Sequence, residues 1–444
     1  MEEGSVGKKV TKFGGSSLAD AGQFEKVKHI LSLDEERVYV VPSAPGKRFP
    51  EDEKVTDLLY RCHRMAQAGE DYQETFDKIA ARYMDIAEEL GLKVDVGAQL
   101  DEINEKIAGG ASADYTASRG EYLNGMLLAD YLGYEFLDAA EGIFFDEKGM
   151  YDADKTQKIL SEKLAKMPKA VVPGFYGSKP DGSIHTFTRG GSDVSGAIVA
   201  QAAHADIYEN WTDVSGFLMA DPRIVKEPLK IESLTYAELR ELSYMGASVL
   251  HADSVFPVHR AGIPTNIRNT NDPSHPGTMI RVGATDDHSP HIITGIAGTK
   301  GFSVISVEKA MMNAELGFGR KILQILEEKG ISFEHMPSGI DTLCVVVSQE
   351  ALNPYREQIV NEIIAQTNPD TVTIHDEMAI IATVGRGMVH NCGTAARLFG
   401  AMSRAGVNVR MIDQGSSELS IIVGVDDEDM ATTVRAIYEE FVVN

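Results

Sequence analysis

The sequence is poor in cysteine, and this scarcity excludes several kinds of protein. Its 444 residues include three cysteines, Cys62, Cys344 and Cys392, which are too few for a disulfide framework. No Cys-x-x-Cys or His-Glu-x-x-His spacing occurs, so we predict no metal held by a protein motif. A reducing cytoplasm is the compartment that fits this cysteine usage.

Long apolar runs and basic residues are also scarce. No hydrophobic stretch approaches the roughly 20 residues that cross a membrane, and no apolar stretch of signal-peptide type precedes Lys12. With 42 basic and 67 acidic residues, the net charge of −25 argues against nucleic acid as a partner, because phosphate backbones select basic surfaces. An anionic substrate would need its own local cluster of cations. The remaining composition is that of a globular protein of two or three domains.

The C-terminal third contains an internal repeat. When the chain is shifted by 76 residues without gaps, three glycines of one copy coincide with three glycines of the other. Hydrophobic residues between these glycines also coincide with hydrophobic residues. Each copy is predicted to form a strand, a helix closed by glycine, two strands and a second helix. The second copy lacks a final strand, and we assign the strand at 291–299 to that place. The first copy, 301–376, is therefore predicted to be inserted within the second, 291–300 plus 377–444. The coincident glycines are Gly317 with Gly393, Gly330 with Gly406, and Gly339 with Gly415.

Residues 1–285 alternate predicted strands and helices. This alternation is typical of an α/β domain with a mainly parallel sheet that is covered by helices on both faces. In such sheets ligands bind at the carboxyl ends of the strands, where loops meet helix N-termini. We therefore look for chemistry in the turns that follow the strands.

Two Gly-Gly turns, each next to a cation, are the strongest chemical signal in these turns. Lys12 lies just before the turn of KFGGSS (12–17), and Arg189 lies just before that of FTRGGSD (187–193). Adjacent glycines let backbone N–H groups approach an anion, and a helix N-terminus adds a positive dipole. Neither stretch is a Walker A loop or a Gly-x-Gly-x-x-Gly motif. An ordinary strand-to-helix connection would explain the first turn alone, but the pair predicts two sides of one polyanion site.

Six motifs, taken in order, resemble those of aspartate kinases, members of the amino-acid kinase family that carry tandem regulatory ACT domains. The resemblance implies an αβα sandwich with a mainly parallel central sheet, followed by two βαββαβ ACT domains. It also implies the single-function form, because no homoserine dehydrogenase segment follows Asn444. The motifs are KFGGSS (12–17), SRGE (118–121), FTRGGSD (187–193), WTDVSGFLMADPR (211–223), MGASVLH (245–251) and DQGSSELSI (413–421).

The same resemblance assigns roles to individual residues. Lys12 would stabilise the transferring phosphoryl group, and Asp193 would order that lysine and the substrate. Arg189 would complete this catalytic set by holding a carboxylate of aspartate, and Glu121 would bind the substrate's ammonium group. The other expected contacts are Ser43 and Thr56 with aspartate, and Gly14, Gly15, Ser16, Gly190, Gly191, Thr212, Asp213 and Arg223 with the nucleotide.

The implied reaction transfers a phosphoryl group from ATP, with Mg²⁺, to the side-chain carboxylate of aspartate. That carboxylate is already ionised at pH 7, so no general base is required, and lone histidines such as His251 and His259 receive no role. The chain departs from many relatives at two positions, with Leu218 in place of tyrosine and Ser248 in place of lysine. We expect the adenine stacking and one cationic contact to be rearranged.

The resemblance further implies feedback regulation and a homodimer formed through the ACT domains. Glu334 stands where lysine-sensitive relatives carry aspartate, so lysine is the first expected effector and threonine the second. Two alternatives stay open: another amino-acid kinase, acting on glutamate, N-acetylglutamate or a nucleoside monophosphate, or a catalytically silent amino-acid sensor. The expected effector contacts are Asn313, Gly317, Phe318, Gly319, Ser332, Phe333 and Glu334.

Overall fold

The computed structural model describes residues 7–188, 190–246, 250, 252–281, 283 and 291–443. This part of the chain contains sixteen strands and fourteen α-helices. The strands are β1 (Lys9–Phe13), β2 (Arg37–Pro42), β3 (Glu135–Phe136), β4 (Ala170–Val171), β5 (Tyr176–Ser178), β6 (Ile184–Thr186), β7 (Ile207–Thr212), β8 (Ser233–Thr235), β9 (Thr265–Asn269), β10 (Thr278–Arg281), β11 (Gly295–Glu308), β12 (Phe333–His335), β13 (Thr342–Ser348), β14 (Thr371–Val384), β15 (Met411–Asp413) and β16 (Ser420–Asp426). The helices are α1 (Ala21–Ser32), α2 (Val55–Gln67), α3 (Gln73–Glu89), α4 (Val96–Ala108), α5 (Ala113–Leu132), α6 (Ala153–Leu164), α7 (Gly191–Ala202), α8 (Tyr236–Tyr244), α9 (Phe256–Ala261), α10 (Phe318–Glu328), α11 (Gln349–Leu352), α12 (Arg356–Thr367), α13 (Thr394–Arg404) and α14 (Met430–Tyr438).

The described residues form two compact units. The N-terminal unit takes its residues from 1–217, 232–236 and 249–284, and the C-terminal unit takes its residues from 218–231, 237–248 and 285–444. Two short segments that precede the predicted boundary at 285 therefore belong to the C-terminal unit. None of the described helices is both long and apolar enough to cross a bilayer.

The N-terminal unit is built on an eight-stranded sheet in the order β3-β4-β2-β1-β7-β9-β10-β8. The six strands from β3 to β9 are parallel, and β10 runs antiparallel to β9. Strands such as β2 (RVYVVP) are buried at nearly every position, as expected where helices cover both faces of a parallel sheet. The predicted mainly parallel α/β fold is confirmed.

Strands β1 and β7 lie side by side in the middle of this sheet. Their parallel register pairs Lys12 with Asn210 and Phe13 with Trp211. The turns that follow β1, β2 and β7 consequently leave the sheet at the same edge, which is where ligands bind in open α/β sheets.

The C-terminal unit is built on a six-stranded sheet in the order β12-β13-β11-β14-β16-β15. Its two central strands, β11 and β14, are each fourteen residues long and pair with each other antiparallel along their length. The 302–308 half of β11 also pairs with β13, whereas the 378–384 half of β14 also pairs with β16. The predicted strand at 291–299 is thus observed, in part, as the first half of β11, where 295–299 pairs with 380–384 of β14.

The repeat is visible in the helices of this unit, because α10 and α13 begin and end 76 residues apart. A glycine of positive φ precedes each helix, Gly317 at 77° and Gly393 at 87°. The strands that follow are offset by 78 residues, since β12 begins at Phe333 and β15 at Met411. The prediction of a repeat without gaps is therefore wrong beyond the helices, and two additional residues lie between α13 and β15. Because the side-chain period of a strand is two, this insertion preserves the inward and outward faces.

Candidate active site

The centre of the candidate site is an ion pair between Lys12 and Asp193. Lys12 lies in β1 and its side chain is 9% exposed, while Asp193 lies in the first turn of α7. The Lys12 Nζ is 2.6 Å from the Asp193 Oδ1. A Cβ atom added at Gly14 would lie 3.6 Å from that Nζ, so the ammonium group sits against the first glycine turn. The structure thus joins the first Gly-Gly turn to the helix that follows the second.

The first glycine turn is held in place by the end of β7 and by the segment that follows β2. Gly14 N donates to the carbonyl of Trp211 at 2.9 Å, and Gly46 N donates to the carbonyl of Gly15 at 2.8 Å. A Cβ atom at Gly15 would lie 2.8 Å from the carbonyl oxygen of Ala44, a distance that no side chain tolerates. Glycine at 15 is therefore required by the close approach of the 44–46 segment. The adjacent Ser16 is half-buried at the start of the turn.

The second glycine turn opens α7. Gly190 has a φ of 57°, a left-handed conformation that favours glycine, and it caps the helix without a side-chain hydrogen bond. A Cβ atom at Gly191 would lie 2.5 Å from the ring of Phe175, so the aromatic ring fits only against glycine. The N-terminus of this twelve-residue helix therefore faces the ammonium of Lys12 with Asp193 between them.

The SRGE motif lies in the middle of the buried face of α5, where some of its residues serve packing and one remains available for chemistry. The guanidinium of Arg119 lies over the rings of three tyrosines, with centroid distances of 4.4 to 5.3 Å, and its Nη2 donates to Ser118 Oγ at 3.0 Å. Gly120 permits close packing, because a Cβ atom there would lie 2.8 Å from Ala44 Cβ. Arg119 is therefore a structural residue, and the motif leaves Glu121 as its chemically available group. The three tyrosines are Tyr115, Tyr122 and Tyr176.

Glu121 is 5% exposed, and its Oε2 is buried without a hydrogen-bond partner. Burial raises the pKa of Glu121 to about 8, even though hydrogen bonds from the Ala44 backbone and the Ser192 side chain lower it. The carboxyl group thus lies between the segment after β2 and the second glycine turn. An unpartnered buried oxygen of this kind is suited to a cationic ligand, which would supply the missing partner.

The two other residues predicted to bind aspartate lie on segments around Glu121. The carbonyl of Ser43 accepts from Asn124 Nδ2, one turn further along α5, at 2.6 Å. Thr56 is half-buried in the first turn of α2, whose Val55 N donates to the carbonyl of Pro45 at 3.1 Å. The structure therefore brings the 43–45 segment, the start of α2 and the middle of α5 together.

One polar residue of the site was missed by the sequence analysis. Asn210 in β7 is 3% exposed; its Nδ2 donates to Asp193 Oδ1 at 2.8 Å and its Oδ1 accepts from Lys12 Nζ at 3.5 Å. In the sequence it stands within YENWT, which reads only as a buried strand. Its closeness to Lys12 follows from the register of β1 and β7, which no local pattern specifies.

The opposite face of β7 carries a buried charge network. Glu209 accepts from Arg37 Nε at 2.8 Å and from Trp211 Nε1 at 2.9 Å, and Arg268 lies 3.7 Å away. Both guanidinium groups also lie over the Trp211 ring. Since the carbonyl of Trp211 accepts from Gly14, this network supports the first glycine turn from behind.

The remaining residues predicted to bind the nucleotide are divided between the two units. Thr212 ends β7 half-buried, and its Oγ1 lies 3.3 Å from Oδ1 of the exposed Asp213. Arg223 belongs to the C-terminal unit, where its guanidinium is bound by Asp221 at 2.6 Å. Leu218 is half-buried in the same unit and forms a bridge with Lys230. Arg189, Ser248 and His251 lie outside the described residues.

The predicted effector contacts lie around the start of α10 and in β12. Most are accessible: Asn313, Gly317, Ser332 and Phe333 are exposed, and Gly319 is half-buried. Phe318, in contrast, is 4% exposed and belongs to the hydrophobic core, so only its backbone could contact an effector. Glu334 is half-buried and accepts a short hydrogen bond from the hydroxyl of Tyr244 in α8.

Comparisons with known proteins agree with this architecture. Residues 7–269 match the model of the amino acid kinase family, and residues 381–441 match a model of the ACT domain. Aspartokinase 3 of Bacillus subtilis is 40% identical over 449 residues, which cover 98% of each chain. The crystal structure of Clostridium acetobutylicum aspartate kinase is 52% identical with a TM-score of 0.91, covering 99% of this chain and 100% of that one.

A more distant structure shares the fold. Escherichia coli aspartokinase III, solved in complex with aspartate and ADP, superposes with a TM-score of 0.77 at 24% identity and covers 98% of this chain and 100% of that one. At that identity the likeness concerns the fold. The resemblance noted in the sequence is confirmed by the family match and by the closer relatives, and the chain belongs to the amino acid kinase family, among the aspartate kinases that carry ACT domains.

Proposed function

We propose that this chain transfers the γ-phosphoryl group of ATP to the side-chain carboxylate of L-aspartate and so forms 4-phospho-L-aspartate. The observation that carries the proposal is the buried Lys12–Asp193 pair, which lies against a glycine turn, with the carboxyl group of Glu121 near the second glycine turn. The product would be the first intermediate of lysine, threonine and methionine biosynthesis.

Charge neutralisation is the main task of such a site. The attacking carboxylate of aspartate is already ionised at neutral pH, so catalysis consists of alignment and stabilisation of negative charge. Lys12, the N–H groups of Gly15 and Ser16 and the N-terminus of α7 would supply positive charge in a protein whose net charge is −25, whereas the N–H of Gly14 already donates to Trp211. Gly14, Gly15, Ser16, Gly190 and Gly191 stay our proposed phosphate contacts, and Thr212, Asp213 and Arg223 our other nucleotide contacts.

Substrate selection would rest on Glu121 and Arg189. The unpartnered oxygen of Glu121 suits the ammonium group of aspartate, and Arg189 would take a carboxylate. Ser43 and Thr56, which flank Glu121 on neighbouring segments, complete the proposed pocket.

A magnesium ion would arrive with the nucleotide. Among the described residues no group of three or more His, Cys, Asp or Glu side chains could hold a metal. Mg²⁺ needs only one or two protein carboxylates when phosphates supply its other ligands, and the exposed Asp213 at the end of β7 fits that need. When bound, the ion would neutralise charge on the β- and γ-phosphates.

The ACT domains would bind an end-product amino acid and inhibit the enzyme, with lysine the first candidate and threonine the second. Binding would shift the populations of active and inactive conformations. A homodimer through the ACT domains is supported by exposed large apolar side chains in the first ACT copy. These are Met311, Leu316, Phe333 and Ile340, which are 73, 97, 46 and 71% exposed. The cytoplasmic location stays a prediction.

Trapping of aspartyl phosphate with hydroxylamine tests the proposal. The protein is incubated with ATP, Mg²⁺ and aspartate, with and without lysine or threonine, and the hydroxamate is measured. We expect hydroxamate from aspartate that depends on Lys12 and decreases with lysine. If the yield of hydroxamate does not change with lysine, the candidate effector becomes threonine, or lysine and threonine acting together. No hydroxamate at all refutes the proposed reaction and favours an amino-acid sensor.

A further inference from the structure

We propose that Asn210 is a positioning residue for phosphoryl transfer, because its side-chain amide fixes the orientation of Asp193 and Lys12. This role rests on the proposed function, since it requires Lys12 to act on the transferring group. Neither the motifs nor the expected roles of the family's residues include Asn210.

The three side chains form a closed arrangement. Asp193 Oδ1 receives two donors, the Lys12 ammonium at 2.6 Å and the Asn210 amide at 2.8 Å. The amide oxygen of Asn210 in turn faces the same ammonium, at 3.5 Å. Only one orientation of the amide satisfies both neighbours, because its NH₂ must face a carboxylate and its oxygen must face a cation. The amide of Asn210 therefore favours the observed rotamers of Lys12 and Asp193 over others.

The strand that carries Asn210 holds residue 193 at two points. Tyr208, on the same face of β7, donates through its hydroxyl to the backbone carbonyl of Asp193 at 3.1 Å. Asn210 holds the carboxylate of the same residue. Both side chains are almost fully buried in the centre of the sheet, where rotamers are fixed by packing. A side chain on a central strand positions its neighbours more firmly than one on a loop.

The neutrality of the amide is part of the role. A second carboxylate at position 210 would share the Lys12 ammonium with Asp193, and one carboxyl group of such a pair takes up a proton at a raised pKa. An amide supplies the donor to Asp193 at every pH without competing for the cation. The charge of Lys12 thus stays available to an incoming phosphoryl group.

Two substitutions test the role through kinetics. In Asn210→Ala we expect kcat to fall roughly 10- to 100-fold, with little change in the KM for ATP or aspartate, because both side-chain partners of Asn210 are the protein groups Lys12 and Asp193. In Asn210→Asp we expect a comparable loss at pH 8.5 and partial recovery near pH 6. At the lower pH the introduced carboxyl group is protonated and can again donate to Asp193. The ratio of variant to wild-type kcat should therefore rise as pH falls for Asn210→Asp and stay flat for Asn210→Ala.

The matched control is Asn266→Ala, which removes a buried asparagine from the next strand, β9. Asn266 is 9% exposed and stands beside Glu209 in the sheet register, one strand further from Lys12. Its loss should lower thermal stability without changing kcat. If Asn210→Ala and Asn266→Ala lower kcat equally, or if Asn210→Ala keeps the wild-type kcat, the positioning role is wrong. If Asn210→Asp does not fold, the kcat values of Asn210→Ala and Asn266→Ala alone decide whether Asn210 has the positioning role.

Lys12→Ala separates this inference from the proposed function. An inactive Lys12→Ala with a fully active Asn210→Ala overturns only the positioning role. A fully active Lys12→Ala overturns the proposed function itself, because the transferring group would then not depend on Lys12.

Discussion

The carboxyl group of Glu121 illustrates, at the scale of the residue, how burial prepares a group for a cation. Its pKa is raised to about 8, so at pH 7 most molecules without ligand hold this carboxyl protonated. A substrate ammonium would pair with the ionised form, and binding must therefore release a proton. We therefore expect the affinity for aspartate to depend on pH.

The first prediction follows from this coupling. Between pH 7 and pH 8.5 the ionised fraction of Glu121 rises, and we expect the KM for aspartate to fall roughly tenfold. Steady-state kinetics at saturating ATP measures the effect. Glu121→Gln, which cannot ionise, should raise the KM for aspartate and remove its pH dependence over this range. If the KM of the variant changed with pH as in the wild type, another group would be the one that titrates.

The same group predicts the pH dependence of stability. Unfolded, the carboxyl group ionises near pH 4.5, whereas folded it ionises at about 8. Its contribution is present in full below pH 4.5 and is lost as pH rises towards 8, because only the unfolded state then gives up the proton. Thermal unfolding of wild type and Glu121→Gln should therefore converge at low pH and differ most above pH 8, with the glutamine variant the more stable.

The first glycine turn gives a third prediction. In Gly15→Ala the new Cβ atom would meet the carbonyl oxygen of Ala44 at 2.8 Å and separate the first turn from the 44–46 segment. We expect a loss of roughly 1–3 kcal/mol of stability and weaker ATP binding, measured by thermal unfolding and calorimetry. Gly97→Ala in α4 is the control, because its φ is not positive and the nearest atom to a Cβ there, Asp95 Oδ1, lies 3.6 Å away, an ordinary contact distance. Equal ATP affinity in the two variants would contradict the phosphate role of the turn.

At the scale of the element, β7 organises the site from both of its faces. One face presents Asn210 to Lys12 and Asp193, and the other buries Glu209 with Arg37. The two faces act on the same turn, since the carbonyl of Trp211 at the end of the strand accepts from Gly14. A substitution on either face should therefore disturb the first glycine turn.

The fourth prediction concerns the buried face. Glu209→Gln leaves Arg37 and Arg268 without their carboxylate, and we expect a loss of about 3–5 kcal/mol of unfolding free energy. Urea unfolding measures it. As a control, Glu102→Gln breaks an exposed pair with Lys106 at 2.7 Å and should cost less than about 1 kcal/mol. A similar small loss in both variants would show that the network contributes little.

The elements also show what could and could not be predicted from the sequence. Glycine turns, cations beside them and alternating strands are local patterns, so they predicted the parallel sheet and pointed to Lys12 and Arg189, whereas the role of Asp193 came from the family resemblance. The pairing of β1 with β7 joins residues almost 200 positions apart, and no local pattern encodes it. Asn210 was missed for that reason. The two additional residues before β15 were missed because hydrophobic alternation is unchanged by an insertion of two.

At the scale of the whole molecule, the proposed regulation would depend on the contacts that an effector meets in the C-terminal unit. Glu334 already accepts a hydrogen bond from Tyr244, the last residue of α8. A lysine effector that paired with Glu334 would share the carboxylate with this hydroxyl, so we expect the contact to weaken effector binding.

The fifth prediction tests this competition. In Tyr244→Phe the competing hydroxyl is absent, and we expect the lysine concentration for half-inhibition to fall roughly 3- to 10-fold, with uninhibited activity unchanged. Hydroxamate formation at increasing lysine concentration measures it. Tyr355→Phe, at a half-exposed position elsewhere in the same unit, is the control. Reduced sensitivity to lysine would instead assign Tyr244 to the effector's own binding site.

The shared ladder of β11 and β14 has a consequence for how the chain is made. Residues 295–299 leave the ribosome about 80 positions before their partners at 380–384. At ordinary rates of synthesis this half-strand waits roughly 4–17 s without a partner on that side. Open strand edges recruit other chains, so we expect this interval of synthesis, rather than the finished molecule, to be the stage at which mispairing is easiest.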